Sequence, residues 1–167
     1  DQPQFLEHLV VNGELELAIM LVNLLGEPQA LVVEVLTRSP NRVWLASGHP
    51  LAVRKHCSLV ECGAEPQVVL EADRIEGVMQ GLWRDHGLTP TEVIRTGSLE
   101  AVRSLVGAGA GVALLPDFLY RPWTLDADHV EARPLLDPLP TIDVGLVWRR
   151  GGQGPGATAQ AFLDIAR

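Results

Sequence analysis

One segment of the chain, residues 96–116, constrains the fold more than any other. Ser98 is a favourable helix N-cap, and the apolar residues that follow it recur at helical spacing. Gly107, Gly109 and Gly111 then end the helix and form a turn, and the short apolar run that follows, closed by a proline, is typical of a buried strand. The segment therefore predicts a helix, a tight turn and a strand, in that order.

The same segment argues against a nucleotide site at its glycines. A dinucleotide fingerprint requires a strand, then glycines, then a helix whose positive N-terminus faces the pyrophosphate. Here the glycines follow a helix, at its negative C-terminal end, which repels phosphate. A small anion fits the other end of the helix, where Thr96 and Ser98 lie beside free backbone N–H groups.

Composition excludes several classes of protein. The 167 residues are 47% hydrophobic and 20% charged, as in a globular domain. The formal net charge is −8 and the basic residues are scattered, so we expect this segment alone not to bind DNA. Neither a membrane-spanning apolar run nor a secretory signal is recognisable, so we expect a cytoplasmic protein without membrane contact.

The cysteines and histidines do not form a recognisable reactive motif. Cys57 and Cys62 follow His49 and His56, but structural zinc sites use a tighter cysteine pair and a second, distant pair of ligands. We therefore expect reduced thiols, no metal site and no cofactor. The sequence also lacks a nucleophile elbow or a triad in a supporting context, so we predict that the chain is not an enzyme.

Hydrophobic periodicity predicts alternating strands and helices along the rest of the chain. Strands are predicted at 14–20, 31–36, 42–46, 67–70, 91–95, 112–115, 130–135 and 141–149. Helices are predicted at 5–12, 74–86, 98–106 and 157–167, the last with Phe162 and Ile165 facing inward. This alternation predicts an α/β fold with largely parallel strand pairing.

Four segments together resemble the effector-binding domain of LysR-type transcriptional regulators. Residues 12–19, NGELELAI, resemble the family's GELDLAI segment, and residues 47–52, SGHPLA, resemble its HPLA segment. Residues 98–116 resemble its SxEAVxxLVAAGLGIALLP segment. Residues 143–149 and 155–163 resemble its closing strand and last helix, so the match in order and spacing covers nearly the whole chain.

The resemblance implies the fold of type II periplasmic binding proteins, in which two α/β lobes are joined by two crossing strands and a small ligand lies in the cleft. The first lobe would hold residues 1–47 and 141–167 and the second residues 48–140, with the hinge near 45–47 and 140–143. Family members also carry an N-terminal winged helix-turn-helix and an opening strand, helix and strand that have no counterpart here. We therefore expect an incomplete first lobe, and DNA binding only through that missing domain.

The resemblance and the local sequence place candidate ligand contacts at strand ends. The strongest candidates are Thr96, Gly97 and Ser98, because the family has a polar ligand contact at this helix start and a helix N-terminus favours anions. The alternative is that Ser98 only caps its helix. In an open sheet, ligands gather at the carboxyl ends of strands, which adds Leu70, Glu71, Met20, Leu21 and Val22 by analogy.

Together these observations predict the small-molecule effector domain of a bacterial LysR-type regulator. The ligand is expected to be a small anion or metabolite that shifts the angle between the lobes. Self-association is expected, with the helices at 74–86 and 98–106 as candidate contacts. Three alternatives stay open: a solute-binding protein of the same fold, an enzyme on a similar scaffold, and an incomplete domain that binds nothing.

Overall fold

The computed structural model describes residues 3–151 and 156–166. Its helices are α1 (Pro3–Asn12), α2 (Leu59–Gly63), α3 (Asp73–Asp85), α4 (Leu99–Gly107) and α5 (Ala157–Ala166). Its strands are β1 (Ala18–Leu21), β2 (Leu31–Ser39), β3 (Asn41–Ala46), β4 (Gln67–Leu70), β5 (Glu92–Thr96), β6 (Ala113–Pro116), β7 (Val130–Pro134) and β8 (Ile142–Arg149). The chain forms two compact units: Asp1–Ser39 with Thr141–Arg167, and Pro40–Pro140.

Unit 1 is built on a three-stranded antiparallel sheet in the order β1-β8-β2. The helix α1 packs against this sheet, and a buried cluster of Val10, Met20, Leu31 and Val147 joins the two. After α1 the chain turns at Gly13, whose φ of +77° is a left-handed conformation that glycine adopts without strain. The predicted helix end at Asn12 is therefore confirmed.

The predicted orientation of the last helix is wrong. Phe162 is 43% exposed and Ile165 is 85% exposed, whereas Ala159 and Leu163 are buried. Residues four apart lie on one face of a helix, so the buried face of α5 runs through Ala159 and Leu163. The apolar residues of this helix are dense enough that periodicity alone allows more than one choice of inward face.

Unit 2 combines a three-stranded antiparallel sheet, ordered β6-β3-β7, with a parallel pair, β4-β5. Its main core cluster consists of Val43, Leu45, Leu51, Ala52, Cys57, Cys62 and Val112. Beside it, Trp44 is fully buried, with the Tyr120 ring edge-on at 5.8 Å and the Arg103 guanidinium 5.8 Å from its ring centre. These contacts tie α4 to β3.

The expectation of largely parallel pairing is wrong for the described strands. Among them only β4 and β5 form a parallel ladder, while β8 pairs antiparallel with β1 and β2, and β3 pairs antiparallel with β6 and β7. The alternation rule assumes that consecutive strands pair through a helical crossover. Here β8 arrives from the far end of the chain and inserts between β1 and β2, which no local pattern signals.

The first crossing between the units lies earlier than expected. The chain leaves unit 1 at Ser39–Pro40 rather than near residues 45–47, and it returns at Pro140–Thr141. The reason is that β3 is hydrogen-bonded along its length to β6 and β7, so it belongs to unit 2. Within unit 2, the Asn41 side-chain amide donates to the carbonyl of Pro140 at 2.9 Å, which holds the two crossing segments together.

The short helix α2 was not predicted from the sequence. The helix α2 begins with a capping box in which Ser58 and Glu61 satisfy each other's backbone N–H groups. None of the helices among the described residues is long and apolar enough to cross a membrane.

Candidate functional site at the ends of β4 and β5

The carboxyl ends of β4 and β5 lie side by side in unit 2. Leu70 pairs with Thr96, and the next backbone N–H, that of Glu71, donates to the Thr96 carbonyl at 2.8 Å. A Cβ added to Gly97 would lie 3.7 Å from the Glu71 carbonyl oxygen, so the two segments remain in close contact beyond the ladder. The structure thus brings together the residues predicted for unit 2 at one edge.

The helix α4 starts at this edge with its N-terminus exposed. Ser98 Oγ accepts a hydrogen bond from the Ala101 N–H, and Thr96 Oγ1 accepts one from the Ser98 N–H, both at 3.2 Å. The capping role of Ser98 is therefore confirmed. The N–H groups of Leu99 and Glu100, in the first turn, have no intrahelical partner, and an α-helix carries partial positive charge at this end.

A second helix begins at the same edge. The helix α3 begins two residues after Glu71, and its N-cap is Ala72, whose side chain cannot accept a hydrogen bond. The first N–H groups of α3 therefore lack a side-chain cap. Two helix N-termini after adjacent parallel strands make this edge favourable for a negatively charged group.

The nearest carboxylate is held by an arginine. Glu71, whose side chain is 47% exposed, accepts a hydrogen bond from Arg95 Nε at 3.1 Å. The same guanidinium donates to Glu92 at 2.5 Å and to Glu76 on α3. The three carboxylates, Glu71 foremost, raise the pKa of Arg95 above its usual range. We call these four residues the Arg95 cluster.

The other carboxylate in this region is held in the same way. Glu100, in the first turn of α4, pairs with Arg103 one turn later. Arg103 is 6% exposed and also donates to the Leu119 carbonyl at 3.2 Å. Both acidic side chains that flank the start of α4 are thus paired with guanidinium groups.

The residues predicted for unit 1 lie at the end of β1. Met20 is buried in the core cluster, while Leu21 and Val22 are half-buried, and a 3-10 turn begins at Val22. Their apolar side chains can pack against a ligand but cannot hydrogen-bond to it. Leu70 is likewise buried, at 6% exposure.

A polar network beside β1 was not predicted. Asn23 Oδ1 accepts a hydrogen bond from the Asp143 N–H, Thr141 Oγ1 donates to Asp143 Oδ1 at 2.6 Å, and Arg38 lies 3.5 Å from Asp143 Oδ2. Sequence reasoning missed it because its members come from three distant segments. The one available signal was the position of Asn23 just after a strand and of Thr141 just before another.

The two thiols belong to the main core cluster of unit 2 rather than to this edge. Cys57 and Cys62 are free, fully buried cysteines, and burial is the main reason why the pKa of each is raised. Among residues 3–151 and 156–166, no group of three His, Cys, Asp or Glu side chains could hold a metal ion. A surface cavity of about 320 Å³ lies beside the C-terminal half of α3, lined by Gln80, Trp83, Arg84, Leu88, Thr89, Pro90 and Glu92.

In sequence, the chain is similar to one family of regulators. The family described as the LysR substrate binding domain matches residues 1–167. The hydrogen peroxide-inducible genes activator of Escherichia coli O6:H1 is 28% identical over 141 residues, which are 84% of this chain and 45% of that protein. The chain therefore spans about half the length of this curated relative.

Solved structures that are similar to this chain include regulators of the same family. HinK, a LysR family transcriptional regulator from Pseudomonas aeruginosa, matches with a TM-score of 0.87 at 26% identity, over 99% of this chain and 57% of that one. The BenM effector binding domain with its effector benzoate matches with a TM-score of 0.82 at 18% identity, over 100% and 74% of the two chains, and shows the fold alone.

These matches fix the class of the protein. The fold is the α/β fold of LysR effector-binding domains, which is like that of type II periplasmic binding proteins. The family and these relatives are transcriptional regulators rather than enzymes. The match of the family over all 167 residues shows that the chain belongs to the LysR substrate-binding domain family.

Proposed function

We propose that this chain binds a small anionic metabolite at the carboxyl ends of β4 and β5 and passes the signal to a DNA-binding segment of the same polypeptide. The observation that carries the proposal is the meeting of two helix N-termini at adjacent strand ends, beside the exposed Gly97 and Ser98. The backbone N–H groups in the first turn of α4 and the dipoles of both helices favour a carboxylate or phosphate there.

The proposed contacts divide by chemistry. Thr96, Gly97 and Ser98 supply hydrogen bonds, and the Glu71 backbone forms the adjacent wall. At this edge Leu70 is proposed as an apolar contact only. For unit 1, described by itself, the apolar residues at the end of β1 stay proposed ligand contacts: Met20, Leu21 and Val22. Benzoate, the effector of BenM, is itself a carboxylate, which agrees with an anion in a domain of this fold.

The remaining partners are part of the same proposal. DNA binding is assigned to another segment, because this chain carries a net charge of −8 and matches only 45% of the length of its relative. Self-association and a cytoplasmic location are proposed for the whole regulator. The family assignment does not favour the solute-binding alternative.

The effector is proposed to bind without covalent chemistry. Relatives named as hydrogen peroxide-inducible activators raise the question of an oxidant signal. Thiolates rather than thiols react with oxidants, and reactive cysteines are accessible. Cys57 and Cys62 are fully buried with raised pKa values, so both remain protonated and shielded at neutral pH.

The test is a thermal melt of the chain against benzoate, inorganic phosphate, amino acids and neutral sugars. A ligand present at a hundredfold its Kd adds about 2.7 kcal/mol to stability, which raises Tm by about 5–10 °C for a chain of this size. Ser98→Ala should lose that response. Ser58→Ala is the matched control, because it removes a serine N-cap from α2 in the same unit.

Both variants lose a cap worth about 1 kcal/mol, so their unliganded Tm values should fall together. A response to an anion that survives in Ser58→Ala and disappears in Ser98→Ala supports the site. An equal response in the two variants, or no response of the parent chain to any anion, contradicts it.

A further inference from the structure

We propose that Arg95 sets the charge class of the effector by holding the Glu71 carboxylate away from the start of α4. The inference rests on the function proposed above, because it concerns the same edge of β4 and β5. It assigns to Arg95 a positioning role: the guanidinium acts on Glu71, and Glu71 acts on the ligand.

The first step is the position of Glu71. Its backbone is fixed against Thr96 by a hydrogen bond of 2.8 Å, and its carbonyl oxygen lies 3.7 Å from the position that a Cβ on Gly97 would take. Its side chain is half exposed, so a hydrogen-bonding partner has a large influence on where the carboxylate lies. That partner among the described residues is Arg95.

The second step is the geometry of the Arg95 cluster. One guanidinium, with five N–H donors in a fixed plane, contacts carboxylates from β5 (Glu92), from α3 (Glu76) and from the end of β4 (Glu71). Arg95 is one residue before Thr96 on β5, so successive side chains point to opposite faces of the strand. The cluster therefore draws Glu71 toward the α3 face of the pair, where Glu76 lies.

The third step is what the cluster prevents. A carboxylate beside the first turn of α4 would itself accept hydrogen bonds from the free N–H groups and would repel an anionic ligand by its charge. Glu71 is one carboxylate that could do this, since its backbone is hydrogen-bonded to Thr96, which lies two residues before the N-cap of the helix. The other, Glu100, lies in the first turn of α4 and is paired with Arg103. While Arg95 holds Glu71, the N–H groups of Leu99 and Glu100 stay available.

The test compares a charged ligand with a neutral one of the same shape. Isothermal titration calorimetry gives Kd for benzoate and for benzamide, with inorganic phosphate as a second anion. The variants are Arg95→Gln, Glu71→Gln and the double variant, and thermal melts check that each is folded. Arg121→Gln is the matched control, because it removes the same charge from an exposed residue of unit 2 whose guanidinium donates to the Tyr120 carbonyl.

Arg95→Gln should weaken benzoate and phosphate about tenfold, the change that 1.4 kcal/mol of repulsion produces, and should leave benzamide within about twofold. The double variant should recover most of the loss, because the released carboxylate is gone. Arg121→Gln should bind all three ligands like the parent.

Either of two results for the single variant Arg95→Gln overturns the inference alone: binding of an anion as tightly as by a parent that binds it through Ser98, or equal weakening of benzoate and benzamide binding. Failure of the double variant to recover binding also overturns it. If the parent binds neither benzoate nor phosphate, the anion site itself is contradicted, and the role of Arg95 falls with it.

Discussion

Replacing Gly111 with alanine should destabilise unit 2 through a backbone clash. Gly111 is buried at the entry to β6, and an added Cβ would lie 2.5 Å from the Pro66 carbonyl oxygen and 3.1 Å from its carbon. The same oxygen accepts a hydrogen bond from the Val112 N–H at 2.8 Å. Because the obstacle is backbone rather than a flexible side chain, the entry to β6 must move away from Pro66.

The expected loss has two parts. Moving the strand breaks the hydrogen bond between Val112 and Pro66, and a buried backbone group left unpaired costs about 1–3 kcal/mol. Overpacking a well-packed interior costs a further 1–3 kcal/mol, roughly. We expect a loss of about 3 kcal/mol in the free energy of unfolding, which lowers Tm by about 6–12 °C for a chain of this length.

Differential scanning calorimetry and urea unfolding measure both quantities. Gly109→Ala is the control, since Gly109 has a φ of +78° but open space around its Cβ position. It should lose only the cost of a left-handed alanine, about 1–2 kcal/mol. A Gly111→Ala variant that melts within a degree of the parent, or that loses no more than Gly109→Ala, would refute the argument from close approach.

Two further predictions concern ionisable groups. Burial raises the pKa of Cys57 and of Cys62, so the protonated thiols stabilise the folded state below the ordinary thiol pKa of 9.0, and this stability is lost as the pH rises through the folded values. The free energy of unfolding, measured in urea, should therefore fall more steeply above pH 9 for the parent than for Cys62→Ala. A thiol reagent at pH 7 should modify the native thiols no faster than the chain unfolds. Faster labelling of the native protein would contradict the burial of the thiols. The Ser58 N–H and hydroxyl hold the pKa of Glu61 below its usual value of 4.5, so this carboxylate contributes stability above pH 4.5 that is lost as the pH falls through the folded value. In Glu61→Gln the free energy of unfolding, measured in urea, should depend less on pH below 4.5. An unchanged dependence would show that the capping box is not its source.

The elements that could be predicted are those with local signals. The predicted strand at 67–70 coincides with β4, and the helix after Ser98 was located by its N-cap and its terminal glycines. The same signals pointed to Thr96, Gly97 and Ser98 as an anion-binding edge, because capping depends on residues within one turn. The structure confirms the cap; the ligand contact stays a prediction.

The features that could not be predicted depend on distant parts of the chain. The pairing of β8 between β1 and β2 joins segments that no window of sequence contains. The Arg95 cluster likewise unites a β5 residue with Glu76 on α3 and Glu71 after β4. The helix α2 is a different case: five residues are too short for a periodicity signal, but its Ser58–Glu61 capping box was readable.

Unit 1 is formed by two stretches that are far apart in the sequence, and this affects how the polypeptide folds during synthesis. Asn23 and Asp143, which are hydrogen-bonded in the native structure, lie 120 positions apart along the chain, and the ribosome makes all of unit 2 between them. Until β8 emerges, β1 and β2 lack the strand that separates them and present unpaired edges. Unit 2 is a continuous stretch of the chain and can complete its folding, or closure, before unit 1 does. A substitution that slows its closure would prolong the exposure of those edges, so a defect in unit 2 can appear as aggregation through unit 1.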